Sequence, residues 1–223
     1  MTSSTLLKIS QIQLAPGSSI SLLNVSWEQY QAFLEELGEE RATRVSYNQG
    51  IFTLSMPSKL HEVVNRLLAK IIFALAEELG MSLRDLGSAT HNREDLERGI
   101  EPDSCFYIQN AGRVLGLNPT IPDDLPPDLA IEVDITNDSS GKRSIYQALG
   151  VPELWTFENG SLIIRVLTDS QYVKTSNSQA YPIVTVDQLN QWVQMLNTTD
   201  DITVIRYVRE FVRRAGEQRD FAE

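Results

Sequence analysis

Apolar residues recur at helical spacing through one long stretch of this chain and alternate with polar ones over much of the rest. Leu60, Val63, Val64, Leu67, Leu68, Ile71, Ile72, Leu75 and Leu79 form a broad stripe at intervals of three and four, and Gly80 stands at its natural stop. A stripe that wide implies a helix packed on a sheet. Upstream, an opening strand is predicted at about 5–14. A first helix follows from Ser26, with Ser26 and Gln29 at capping-box spacing and Gly38 placed to close it. Residues 44–47, the turn Asn48-Gln49-Gly50 and residues 51–56 read as a hairpin. Downstream, short strands are predicted near 81–86 and 104–108, and a loop rich in Pro, Asn and Asp runs to Pro127. A strand at 128–136 and a short helix at 139–149 come next. Residues 152–157 and 161–167 pair around Glu158-Asn159-Gly160, 172–175 adds a strand, and helices at about 186–196 and 201–215 end the chain. The pattern predicts an α/β fold: a mixed central sheet with the long helix on one side and the 139–149 helix on the other.

Composition adds limits. With 223 residues, 42% hydrophobic and 22% charged, the chain suits one domain over 1–223 that buries a core without staples. Its one cysteine, Cys105, forms no internal disulfide, which fits a reducing cytoplasm. No run approaches the roughly 20 apolar residues of a membrane helix, and the N-terminus lacks a signal-peptide pattern, so a cytoplasmic protein is expected. A net charge of −11 argues against general nucleic-acid packaging, whose affinity comes mostly from neutralising phosphates. It leaves room for a metal site, which needs acids. Arg206, Arg209, Arg213 and Arg214 give the last helix a basic side, read as a solvated face that suits the helix dipole.

Three segments carry candidate chemistry: GIEPDSCFYI at 99–108, PPDLAIEVDITND at 126–138 and SSGKRSIYQALGVPELW at 139–155. Alternation puts Ile131, Val133 and Ile135 on one face of the middle strand and Glu132 with Asp134 on the other. Two carboxylates sharing a face repel and cost burial energy unless a cation or donor joins them. A solvent-facing strand end carrying two ordinary charges fits that pattern equally. Asp103, at the start of another apolar strand after Pro102, tips the reading toward a metal site. Mg²⁺ takes a few carboxylate oxygens plus waters, with Mn²⁺ as a substitute. Lys142 supplies a cation at the start of the next helix, long enough to reach back.

These segments resemble the PD-(D/E)XK nuclease superfamily, in particular its Uma-two branch of restriction-endonuclease-like proteins. The likeness runs from about Arg41 to Trp155, giving a nuclease core of about 41–157. It is carried by the hairpin, a Ser-x-x-His helix start, the Glu-Pro-Asp strand, Pro-Asp-Leu-x-x-Glu-Val and Tyr-x-x-x-Gly-Val-x-Glu-x-Trp. The resemblance implies that Asp103 and Glu132 ligate Mg²⁺, with the Val133 carbonyl as a third ligand. It implies a DNA endonuclease hydrolysing phosphodiester bonds. The superfamily usually carries Lys two residues after the second acid. Here that position is Asp134, and in this branch the lysine moves to the next helix, as Lys142. Asp134 would hold a second metal or a bridging water, or stand behind the ligands. Glu62 resembles the helix acid often added to such sites, although at about 100° per residue it faces away from the stripe, whereas His61 flanks it. A homodimer would give a two-strand cutter its symmetry, by analogy.

Several residues have plainer readings. His61 suits capping or packing as well as function. His91 reads as surface. Tyr107, Tyr146 and Trp155 read as core aromatics, and Ser139 and Ser140 as helix caps. Two rival functions stand beside the nuclease: a non-catalytic binding or regulatory module, which Asp134 in the lysine's place would suit, and a metal-dependent hydrolase of another phosphoester, which the acidic surface would suit.

Overall fold

The computed structural model describes residues 8–134 and 139–220. At the N-terminus a short 3₁₀ turn at Ile9–Gln11 precedes β1 (Ser19–Leu23), not the strand expected over 5–14, of which 5–7 lie outside the described residues. The chain must first reverse at Pro16-Gly17, where Gly17 takes φ 78° and the Ser18 amide donates to the Ala15 carbonyl at 3.0 Å. Ser26 then caps α1 (Trp27–Leu37) as its spacing predicts: its hydroxyl accepts from the Gln29 amide, and the Gln29 side chain accepts from the Ser26 amide. β2 (Arg44–Asn48) and β3 (Ile51–Ser55) form the hairpin, with Gln49 at φ 45° and Gly50 at φ 88°. Two left-handed residues are what a two-residue turn between twisted strands requires.

The apolar stripe becomes α2 (Lys59–Glu78), capped by Ser58, with Leu67, Leu68 and Ile71 fully buried. Beyond it come β4 (Arg84–Gly87), β5 (His91–Arg93), β6 (Arg98–Ile100), β7 (Ser104–Tyr107) and β8 (Leu129–Asp134). The rest is α3 (Ser139–Leu149), β9 (Glu153–Glu158), β10 (Ser161–Thr168), β11 (Gln171–Thr175), α4 (Val186–Met195) and α5 (Asp201–Asp220). Residues 135–136, assigned by pattern to the β8 strand, lie outside the described set.

The strands fall into two sheets. A five-stranded antiparallel sheet has the order β1-β3-β2-β6-β5, and a six-stranded mixed sheet the order β11-β10-β9-β8-β7-β4. Strands β8 and β9 are parallel, joined through α3. The mixed sheet is the expected one, with α2, α4 and α5 over the face that bears Leu129, Ile131 and Val133. α3 covers the opposite face through Ile145, Tyr146 and Leu149 against Ala130 and Leu154. The five-stranded sheet packs Val45, Tyr47, Phe52 and Leu54 against α1. β5 and β6 escape the pattern because three-residue strands reading HNR and RGI carry no alternation to detect.

Gly99 sets how closely α1 approaches this second sheet. Tyr30 stacks on Tyr47 with ring centres 4.7 Å apart and donates its hydroxyl to Asn92 at 2.7 Å, directly over Gly99. A β-carbon there would collide with both partners of that hydrogen bond. The basic side of α5 is not simply solvated. Arg209 and Arg213 reach Glu78 at 3.0 and 2.8 Å and tie the end of α2 to α5. Among the described residues no helix is long and apolar enough to cross a membrane.

Gly99→Ala should destabilise the protein by about 1–3 kcal/mol through overpacking. An unchanged urea midpoint would show that α1 can give way. A second expectation concerns pH. Hydrogen bonds from Arg213 and Arg209 hold the Glu78 carboxyl at about 2, below its ordinary 4.5. A depressed carboxyl stabilises the fold above its ordinary value, and that contribution fades as pH falls toward the folded one. Glu78→Gln should therefore melt earlier than wild type at pH 7, with the gap closing between pH 4.5 and 2. Parallel melting curves at all pH values would remove the clasp from the stability of the fold.

Candidate active site

The site begins with a register. Antiparallel pairing sets Ser104 opposite Ile131 and Cys105 opposite Ala130, and Asp103 stands one residue beyond the paired stretch, within electrostatic reach of Glu132. The Asp103 amide donates to the Ile131 carbonyl at 3.2 Å, and Asp103 Oδ2 accepts from the Val133 amide at 2.7 Å. Both acids are buried, with Asp103 4% and Glu132 1% exposed.

Each carboxylate has its own basic partner. Glu132 Oε1 accepts from Lys142 Nζ, and Glu132 Oε2 from the Tyr146 hydroxyl at 2.6 Å. Lys142 and Tyr146 stand one turn apart on α3, so one face of that helix supplies both donors. Asp103 Oδ2 pairs with His61 Nε2 at 2.8 Å, from the first turn of α2. One turn further along, Asn65 donates to the Asp103 carbonyl at 3.0 Å and accepts from the Ser104 hydroxyl at 2.9 Å.

These contacts set the protonation states. Burial opposes the ionisation of Asp103, but the hydrogen bond from His61 and the charge of Lys142 outweigh it and hold the carboxyl below its ordinary range. Burial and then the charge of Asp103 push Glu132 upward, against the opposing pull of Lys142 and Tyr146. Burial disfavours the charge on Lys142, yet Glu132 and Asp103 more than restore it. His61 follows the same logic: burial lowers its basicity, while the hydrogen bond and charge of Asp103 raise it further. The Tyr146 hydroxyl is held protonated by burial and by Glu132.

A cavity of about 220 Å³ opens over this network, with Asp103, Val133, Asp134, His61 and Lys142 in its lining. Glu132 lies behind Lys142 rather than on the wall. Glu62 stands on the side of the helix that its spacing predicts. Its carboxylate sits 3.7 Å from His61 Nδ1 and 3.8 Å from Arg66 Nε, half exposed and outside the cavity lining, as its angle around the helix requires. His91 is buried, not surface: it contacts Cys105 at 3.5 Å. Burial drops His91 to about 4 and pushes the Cys105 thiol up, which favours the neutral form of both. The side chains of Ser139 and Ser140, read as helix caps, lie outside the described residues.

Three other acids of these segments serve the backbone. Glu101 accepts from the Val45 amide and pairs with Arg41. Asp128 accepts from the amides of Ile108 and Asn110 at 2.6 and 3.0 Å. Glu153 accepts from the amides of Gln179 and Ala180 and from the Trp155 indole. Asp103 and Glu132 differ from these three in facing each other. Tyr146 and Asn65 were hidden in the sequence among core positions. Their signals were available as polar groups one helical turn after Lys142 and His61.

The donor chemistry fits a hard divalent ion. Two buried carboxylates, one of them pushed above its ordinary range by burial and then by the other, are hard oxygen donors. Among the described residues no group of three or more His, Cys, Asp or Glu side chains forms a ready-made metal cluster. Mg²⁺ does not need one, because it binds through one or two carboxylates and keeps several waters. A strand residue sends its N–H and carbonyl to the same edge. The Val133 amide already faces Asp103, so its carbonyl leaves on the site's side of β8.

A family model named Uma2, described as "Putative restriction endonuclease", matches residues 27–199. A crystal structure described as "a putative nuclease belonging to DUF820" from Anabaena variabilis ATCC 29413 superposes with a TM-score of 0.51 at 14% identity. It covers 74% of this chain and 97% of its own. At that identity the likeness is one of fold. No curated protein matches the chain.

The network yields a stability expectation. Tyr146→Phe deletes a buried donor to Glu132 and should cost about 1–3 kcal/mol in urea unfolding. An unchanged midpoint would mean that Glu132 Oε2 finds an equivalent donor once the hydroxyl is gone.

Proposed function

Because the chain belongs to the Uma2 family of restriction-endonuclease-like proteins, we propose that it is a Mg²⁺-dependent DNA endonuclease. The observation that carries this reading is the facing pair Asp103 and Glu132 with Lys142 bonded to the second of them. In this assignment Asp103, Glu132 and the Val133 carbonyl would hold the ion. Bound there, the ion supplies a Lewis acid for a phosphate oxygen and a water of lowered pKa.

The chain's own groups do the rest. Lys142, charged at neutral pH, lines the cavity and stands ready to orient a water or to neutralise charge on the phosphate. It takes the place of the lysine that the resemblance leads one to expect at Asp134. His61 and Asn65 hold Asp103 from α2, one by its carboxylate and the other by its backbone carbonyl. Tyr146 fixes the second oxygen of Glu132. Asp134 adds a further carboxylate to the cavity wall. Glu62 has no part in this scheme. A homodimer would present two such sites to a duplex.

A second reading, hydrolysis of a small phosphoester, draws on the net charge of −11 and on a cavity smaller than the roughly 300–1,000 Å³ of most small-molecule pockets. Salt separates the two, because duplex binding weakens steeply with ionic strength and turnover of a small ester does not.

Cleavage assays with Mg²⁺ test the assignment. Asp103→Ala and Lys142→Ala should each lower the rate by about 10²-fold or more, the cost of losing one charge-stabilising group. Arg143→Ala should cleave like wild type, since one helical step of about 100° turns that residue from the direction of Lys142. Full activity in Lys142→Ala would remove the lysine from the mechanism. No metal-dependent cleavage by wild type on any DNA would favour a non-catalytic binding module.

A further inference from the structure

The wall opposite Asp103 and Lys142 belongs to the five-stranded sheet, and the chemistry reading has no use for it. Strand register places Ser19 opposite Ser55 and Ser55 opposite Arg44. In the next row on the same face Ser21 stands opposite Thr53 and Thr53 opposite Ser46. The other face of these strands is apolar and packs on α1, so the hydroxyls all turn to the cavity. Ser21 and Thr53 already share a hydrogen bond of 2.9 Å, and the Ser55 hydroxyl donates to the Arg44 carbonyl at 3.3 Å.

Arg44 is the informative residue. Its guanidinium lines the cavity without an ion pair to any described carboxylate, whereas Lys142 already pairs with Glu132. Its Nε is buried without a hydrogen-bond partner, and Nη1 has only the Thr43 carbonyl at a long 3.5 Å. Most of its five N–H donors are thus without a described protein acceptor. A planar guanidinium ringed by neutral hydroxyls suits the oxygens of a phosphate better than a point charge would. Arg, Ser and Thr side chains are also the groups that position nucleic-acid backbones without reading their bases.

We propose that Arg44, with the hydroxyls of Ser19, Ser21, Thr53 and Ser55, forms a second phosphate subsite. It grips a phosphodiester of the substrate strand away from the one at Asp103 and Glu132. This rests on the nuclease reading for the identity of the ligand, not for the site itself. It also places one positive charge on the wall that carries no carboxylate.

The test separates binding from catalysis. Fluorescence anisotropy of a labelled single-stranded DNA oligonucleotide, without divalent ion, is measured over a salt series for wild type, Arg44→Gln and Arg44→Lys. Arg44→Gln should bind about tenfold more weakly, and its slope of log K against log salt should be shallower by about 0.7, one single-strand phosphate contact. Arg44→Lys should recover part of the affinity and the full slope. Where wild type cleaves with Mg²⁺, Arg44→Gln should raise KM and keep most of kcat. Equal affinity and slope in wild type and Arg44→Gln, or no binding by wild type, overturns the subsite. Loss of binding in Arg44→Gln beside a wild type that never cleaves upholds the subsite and sinks the catalytic reading. Cleavage with an unchanged KM in Arg44→Gln does the reverse.

Discussion

Repulsion between Asp103 and Glu132 organises the centre of this protein. Strand register brings the two carboxylates to one face at the junction of β7 and β8, and burial denies them water. The fold answers with donors from both sides of the mixed sheet. α2 sends His61 and Asn65 to Asp103, and α3 sends Lys142 and Tyr146 to Glu132. Breaking one partner of such a pair leaves a buried charge uncompensated, which costs far more than an exposed pair is worth. The helices are thus placed by their apolar faces and held in rotation by what their first turns must neutralise.

The two sheets divide the work. The mixed sheet, with helices on both faces, supplies the acids and the rigidity. The five-stranded sheet buries one face against α1 and turns the other, rich in hydroxyls, to the cavity. Contacts such as Asn48 to Ser144 at 3.0 Å and Ile100 beside α3 join them, so the cavity lies between two preorganised surfaces. Preorganisation matters for phosphoryl chemistry, where positioning and charge do most of what a protein contributes. Only one of the two walls carries the candidate catalytic groups, which leaves the other free to hold substrate.

Carboxylates in the three signature segments divide by what they face, a distinction that composition cannot make. Asp128 and Glu153 accept from backbone amides and fix loops, and Glu101 binds an amide and Arg41. Asp103 and Glu132 look the same in one dimension. Their difference comes from the β7–β8 register, a pairing between residues nearly thirty positions apart.

Local physics was legible wherever one element's own residues decide it. The capping box of α1, the Gln49-Gly50 turn, the stripe of α2 and the alternation that turns Glu132 away from Ile131 all follow from spacing, because each depends on neighbours within a turn or a strand. So does the direction of His61 against Glu62, whereas the grouping of Asp103, Glu132 and Lys142, which sit on three elements, drew on the resemblance as well. Tertiary structure decided the remainder. It split the strands into two sheets, since β5 and β6 are too short to show a period and form only by pairing with β2 and each other. It buried His91 beside Cys105, gave Tyr146 and Asn65 polar duties inside apolar faces, and turned the arginines of α5 onto Glu78. It also left Arg44 facing a cavity whose far wall is written half the chain away. Periodicity reports which side of an element is buried, but only the packed fold determines what waits on the other side.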